Sequence, residues 1–238
     1  MRRLRSAVIA VGMLGFCLQS HAAAPIAEAS FDWSTFSYQL FDLDPLDGIE
    51  ASLTWGFQGS NTDTSAGNYD NAYDWTSPVE SANGVSVASA TESVVGVSYY
   101  GYETSNLLGS MAQRYGQFTL SAKTLVLFRV EGSVSVAGVS DPGASAGGSL
   151  QLSVSDSNSD PSYFSYSNLF VSTVFGVPNK SGVLTTSFVN FTESALSAQF
   201  GVNAQAYVMA PVPEPHTYGM LLAGLAVVAQ VARRRCMG

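Results

Sequence analysis

The stretch Asp42-Leu43-Asp44-Pro45-Leu46-Asp47-Gly48 brings three carboxylates within six residues. Oxygen donors at this density suit Ca²⁺, which takes about six to eight oxygen ligands. An EF-hand loop places acidic or amide residues at every second position before its glycine; Asp42 and Asp44 keep that spacing, and Asp47 falls one residue late. The same residues also read as a tight turn, with Asp47-Gly48 supplying the left-handed position. A second cluster, Asn68-Tyr69-Asp70-Asn71-Ala72-Tyr73-Asp74-Trp75, mixes rings with amides and carboxylates. Tyr69, Tyr73 and Trp75 could stack on the C–H face of a sugar while the polar groups meet its hydroxyls. They equally describe a surface loop anchored by a buried Trp75.

What the chain omits narrows its chemistry further. Its two cysteines are Cys17 and Cys236 and its two histidines are His21 and His216, so residues 25–210 contain neither type. That removes Ser–His–Asp and Cys–His nucleophiles, histidine bases, ordinary zinc sets and an internal disulfide. Asp, Glu, Tyr, Lys and Ser remain. A glycosidase needs two carboxylates about 5 to 10 Å apart, and no pair among the 17 acids of residues 25–210 stands out in sequence. Against those acids stand only Arg114, Lys123, Arg129 and Lys180, a balance of −13. Such a charge repels nucleic acid, which demands basic contacts. The expectation is a protein that is not an enzyme.

The elements that must carry these groups read as strands. In Ile49 to Phe57 every odd position is apolar. Period-two alternation recurs at Val126, Phe128, Val130, Val134 and Val136, at Leu150, Leu152 and Val154, and from Phe200 to Val208. One face of each such strand belongs in a core and the other in water. Leu53, Trp55 and Phe57, and likewise Val126, Phe128 and Val130, should face inward. Turn-rich clusters separate the runs: Gly59 to Gly67, Asp141-Pro142-Gly143, Asp156 to Pro161, and Pro178 to Gly182. Only Asn106 to Tyr115 leaves room for a turn or two of helix. The fold expected is all-β, an antiparallel β-sandwich of jelly-roll type with eight to ten strands, occupying residues 25–210 as one domain.

Both ends read as trafficking signals. Arg2, Arg3 and Arg5 precede an apolar run of twelve residues, Ala7 to Leu18, which is too short to cross ~30 Å of hydrocarbon. Ser20-His21-Ala22 then offers small side chains to a signal peptidase. Residues 1–22 are therefore read as a signal helix cleaved after Ala22, and Phe16 before Cys17 argues against a lipoprotein. At the other end, Pro213 and Pro215 hold Glu214 in extended chain. Tyr218 to Ala232 is a short transmembrane helix of fifteen residues, covering only ~22 Å. Arg233, Arg234 and Arg235 stop it on the cytoplasmic side. A span so short suits transient insertion in an inner membrane.

Val212-Pro213-Glu214-Pro215, the apolar Met220 to Leu225 and Arg233 to Arg235 together closely resemble the PEP-CTERM sorting signal. A weaker likeness, at Tyr38 to Ile49, is to the opening of a group of PEP-CTERM proteins with β-rich bodies of no assigned activity. The resemblance implies export by a Gram-negative bacterium that makes exopolysaccharide, and processing of residues 211–238 by exosortase, a membrane cysteine protease-transpeptidase. It implies a route rather than an activity. The expected function is a structural protein of the surface or extracellular matrix, associated with exopolysaccharide or biofilm. The alternative is a carbohydrate-binding or carbohydrate-active module.

Overall fold

The computed structural model describes residues 27–64, 67–101, 109–137, 144–156, 163–176, 178–209 and 222–225. Twelve strands account for most of them. They are β1 (Ala27–Asp42), β2 (Leu53–Asp63), β3 (Tyr69–Ala72), β4 (Val79–Ala82), β5 (Ser86–Ala90) and β6 (Val94–Tyr99). There follow β7 (Ser110–Leu120), β8 (Thr124–Val136), β9 (Ser145–Asp156), β10 (Phe164–Ser172), β11 (Asn179–Asn190) and β12 (Leu196–Met209). The strands form two antiparallel sheets of six: a first sheet in the order β11-β8-β1-β6-β5-β4 and a second in the order β10-β9-β12-β7-β2-β3. Both termini of the described body are thus interior strands, β1 between β8 and β6 and β12 between β9 and β7.

Alternation explains the placement of most side chains. Along β8 and β12 every even residue from Val126 to Val136 and from Ala198 to Val208 is buried. The two sheets share one core, in which Phe128 of the first meets Phe118 and Phe200 of the second at ring distances of 5.4 and 4.8 Å. Aromatic rings bury large areas and favour such tilted contacts.

Two irregularities aim further rings into that core. The pairing of β1 with β8 runs to Asp32 opposite Glu131 and resumes at Ser37 opposite Arg129, so Trp33 to Phe36 bulge out of the ladder. Trp33 and Phe36 turn inward and stack at 4.4 Å. Hydrogen bonds hold the bulge in place: Trp33 N donates to Ser93 O at 2.7 Å, and Glu131 N of β8 donates to Thr35 Oγ1 at 2.9 Å.

The second irregularity corrects an expectation. Opposite Phe118 and Gln117 of β7 stand Trp55 and Phe57, with Gly56 as an extra residue between them. A bulge reverses which face each later side chain takes. Leu53 and Trp55 pack against the core as expected, but Phe57 points outward and is 40% exposed, while Ser60 and Thr62 are buried. These inward hydroxyls are paired, Thr62 Oγ1 with Ser81 Oγ at 2.8 Å and Ser60 Oγ to Asp74 O at 3.1 Å.

Two further readings change. Residues 110–115 form strand β7 rather than helix, because their inward positions are Ser110, Ala112 and Arg114, too polar to announce a buried face in the sequence. The strands number twelve among the described residues, because β3 and β4 are four-residue edge strands inside stretches rich in turn-forming residues.

Candidate functional site

The acidic loop follows directly from the end of β1. Asp44 N donates to Asp42 Oδ1 at 2.9 Å, Leu46 N to Asp44 Oδ1 at 3.4 Å and Ile49 N to Asp47 Oδ1 at 2.7 Å. Each carboxylate therefore caps an amide two residues on, the Asx-turn habit of aspartate. Asp47 N also closes on Asp44 O at 3.1 Å, and Gly48 takes φ 74°. Among the described residues no group of three or more His, Cys, Asp or Glu side chains is placed to hold a metal ion.

The second cluster divides. Trp75 goes inward, its ring 4.7 Å from Trp55 and 5.3 Å from Trp33. Its Nε1 donates to Gly59 O at 3.2 Å and Tyr115 O at 3.0 Å, tying the loop to β2 and β7. Trp75 is therefore an anchor. Tyr69 and Tyr73 remain outside, 60% and 77% exposed. Phe57 joins them, 6.5 Å from Tyr73 and 5.8 Å from Tyr115. Partial burial, with Tyr69 and Tyr73 nearby, pushes the Tyr115 phenol above its ordinary value. An aromatic patch of Phe57, Tyr69, Tyr73 and Tyr115 results. Sequence reasoning missed Phe57 because the bulge changes its face, and Tyr115 because β7 was not read as a strand. The signal for Phe57 was Gly56, since glycine inside a strand marks bulges.

Under this patch lies the one group with a large displacement in titration among the described residues. Arg114 is almost wholly buried on β7. Its guanidinium sits 4.7 Å over the Trp33 ring and donates from Nη2 to Thr91 O at 2.6 Å, while Nε has no hydrogen-bond partner. Burial lowers its pKa to about 10, against the pull of Asp74 and Glu92. Asp74 is itself held below the ordinary carboxylate value, first by Ser77 N and Oγ and then by Thr76.

On the opposite face of the molecule, the first sheet carries a shallow depression of about 580 Å³ lined in part by Asp32, Ser93, Glu131 and Ser133. The register sets Asp32 directly across from Glu131. Asp32 Oδ1 accepts from Ser34 N at 3.2 Å, and Glu131 Oε1 accepts from Arg129 Nη2 at 3.4 Å. Both carboxylates are engaged with neighbours on their own strands.

Residues 211–235 match the PEP-CTERM protein-sorting motif. The chain therefore carries this sorting signal, which marks an exosortase-targeted protein exported through the membrane to the cell surface. No curated protein and no solved structure matches the chain. The cleavage position Ala22, the motif residues Val212, Pro213, Glu214 and Pro215, and the stop Arg233, Arg234 and Arg235 all lie outside the described residues. Of the segment 218–232, only a helical turn at residues 222–225 is described, and no helix among the described residues is long and apolar enough to cross a membrane.

Proposed function

We propose that this chain is a non-enzymatic structural protein of the cell surface or extracellular matrix of a Gram-negative bacterium. Its two sheets form a β-sandwich of jelly-roll type that sits among exopolysaccharide once exosortase has acted. The observation that carries this reading is the sorting motif beginning at residue 211, two residues after β12 ends at Met209. The engagement of the acidic loop's carboxylates with their own turn supports a structural role for it.

The motif divides its labour. The apolar segment 218–232 holds the chain in the inner membrane for a time, Arg233 to Arg235 stop translocation, and Pro213-Glu214-Pro215 is what exosortase recognises. Expression in an exosortase-positive host tests this. Glu214→Ala should leave full-length protein in the inner membrane, and loss of the three arginines should let unprocessed chains reach the periplasm. Mass spectrometry of the released protein should find no peptide covering Leu221 to Arg233; finding one overturns the reading.

A second reading, a carbohydrate-binding module, is favoured by the exposed rings of Tyr69 and Tyr73 beside Phe57 and Tyr115.

A further inference from the structure

The outward face of the second sheet has a pattern that only the strand register reveals. Asn71 of β3 pairs with Asn61 of β2, which stands across from Gln113 of β7. Gln113 in turn faces Asn203 of β12, Asn203 faces Gln151 of β9, and Gln151 faces Asn168 of β10. One carboxamide from every strand thus forms a single row across the sheet. At ~4.8 Å between strands the row runs for about 24 Å.

These amides are poorly satisfied by the protein. Asn61 Oδ1 has no hydrogen-bond partner, although it is itself covered, so a ligand would meet this residue through its neighbours in the row. Asn203 Nδ2 has the thioether Sδ of Met111 at 3.0 Å, as does Gln205 Nε2 at 3.7 Å, and a thioether is a weak acceptor. Beside Asn203 and Gln151 the flanking positions are small or polar, Gly201 and Ser153 facing each other on one side and Gln205 and Ser149 on the other, whereas Tyr115 and Met111 flank Gln113. Exposed rings stand at both ends, Tyr69 and Tyr73 by β3, and Phe164 and Tyr166 on β10 at 58% and 57% exposure. The row itself carries no charged residue, whereas the outer face of the first sheet carries Asp32, Arg129 and Glu131.

We propose that this face binds a neutral, extended polysaccharide of β-linked pyranose units, laid across the strands along the row of amides. The proposal rests on the carbohydrate-binding reading and gives it a face and a ligand class. Each carboxamide both donates and accepts, as a sugar hydroxyl does. The strand spacing approaches the advance per sugar of an extended β-linked chain, so successive sugars meet successive amides. The terminal rings offer stacking surfaces for C–H faces. An uncharged row on an acidic body selects against anionic polymers. Apart from Met111 and Tyr115 on β7, another protein copy would find little apolar area in the middle of this face, where protein interfaces concentrate their apolar contacts.

Affinity electrophoresis of the full-length protein in mild detergent tests this, with a soluble mixed-linkage β-glucan and with polygalacturonate in the gel. The β-glucan should retard the protein and polygalacturonate should not. The pair Gln113→Ala and Asn203→Ala should weaken retardation about tenfold or more, as should the more exposed pair Gln151→Ala and Asn168→Ala. Ser133→Tyr, on the other sheet, should leave it unchanged. Absence of retardation by β-glucan overturns the proposal, as does equal loss in Ser133→Tyr. So does a concentration-dependent dimer in sedimentation that the amide substitutions abolish, which would assign the face to a second copy. None of these outcomes bears on export and tail removal, which are read separately by mass spectrometry.

Discussion

The ring of Tyr115 lies on the backbone of Gly59, its cross-strand partner between β7 and β2. A methyl group at Gly59 would sit 2.7 Å from Cζ of that ring, well inside van der Waals contact. Gly59→Ala should therefore displace Tyr115 and, because the contact is with the far end of a part-exposed ring, cost about 1 kcal/mol in urea unfolding. Adding Tyr115→Ala should recover part of that loss, a coupling that a double-mutant cycle reads directly. Additive losses would show that the ring does not rest on the glycine.

The bulge at Gly56 makes a contrast between two phenylalanines. Phe57→Ala should cost less than about 1 kcal/mol, as an outward position does. Phe128→Ala, at the centre of the ring cluster, should cost about 3 to 5 kcal/mol. Equal costs would mean that Phe57 faces the core after all.

Arg114 separates charge from volume. Burial drags its pKa to about 10, so the fold works against the charged form. Arg114→Met keeps most of the buried apolar stem and removes the charge, and should leave stability within about 1 kcal/mol of the parent or raise it. Arg114→Ala also opens a cavity beside Trp33 and should cost about 3 kcal/mol. Denaturant midpoints for the two variants decide the matter.

Asp74 gives a pH signature. Its carboxyl titrates below the ordinary 3.8 because Ser77 and Thr76 donate to the ionised form. Its contribution to stability is therefore present above about pH 4 and is lost as pH falls through the lowered value. Melting temperatures measured from pH 6 down to pH 2.5 should fall less steeply for Asp74→Asn than for the parent. Parallel curves would show that those hydrogen bonds add nothing.

Alternation in the sequence located β8, β9 and β12, because nearly all of their inward residues are apolar. It failed where the inward face is polar. Ser110 and Arg114 hid β7, and Ser60 and Thr62 hid the switch of face within β2. Trp75 was legible as an anchor because a large ring in a polar loop must bury its area somewhere. The patch around Tyr69 and Tyr73 was half legible. Its other members, Phe57 and Tyr115, come from strands brought together by register, which a linear reading of hydrophobicity does not reveal. The amide row is the extreme case, since its six members come from six strands and no two are close in sequence except Asn61 and Asn71.

The first and last strands of the body are each interior to a sheet, and this sets a clock on folding. β1 leaves first but waits for β6 and β8 before either of its edges is covered. The second sheet stays split until β12, ending at Met209, takes its place between β9 and β7. Such long-range pairing is slow and leaves open edges meanwhile. A chain built this way stays threadable until nearly all of it has emerged, and its final strand closes the fold next to the segment that exosortase must find. The body therefore cannot be complete until the chain has emerged to within two residues of the sorting motif at residue 211.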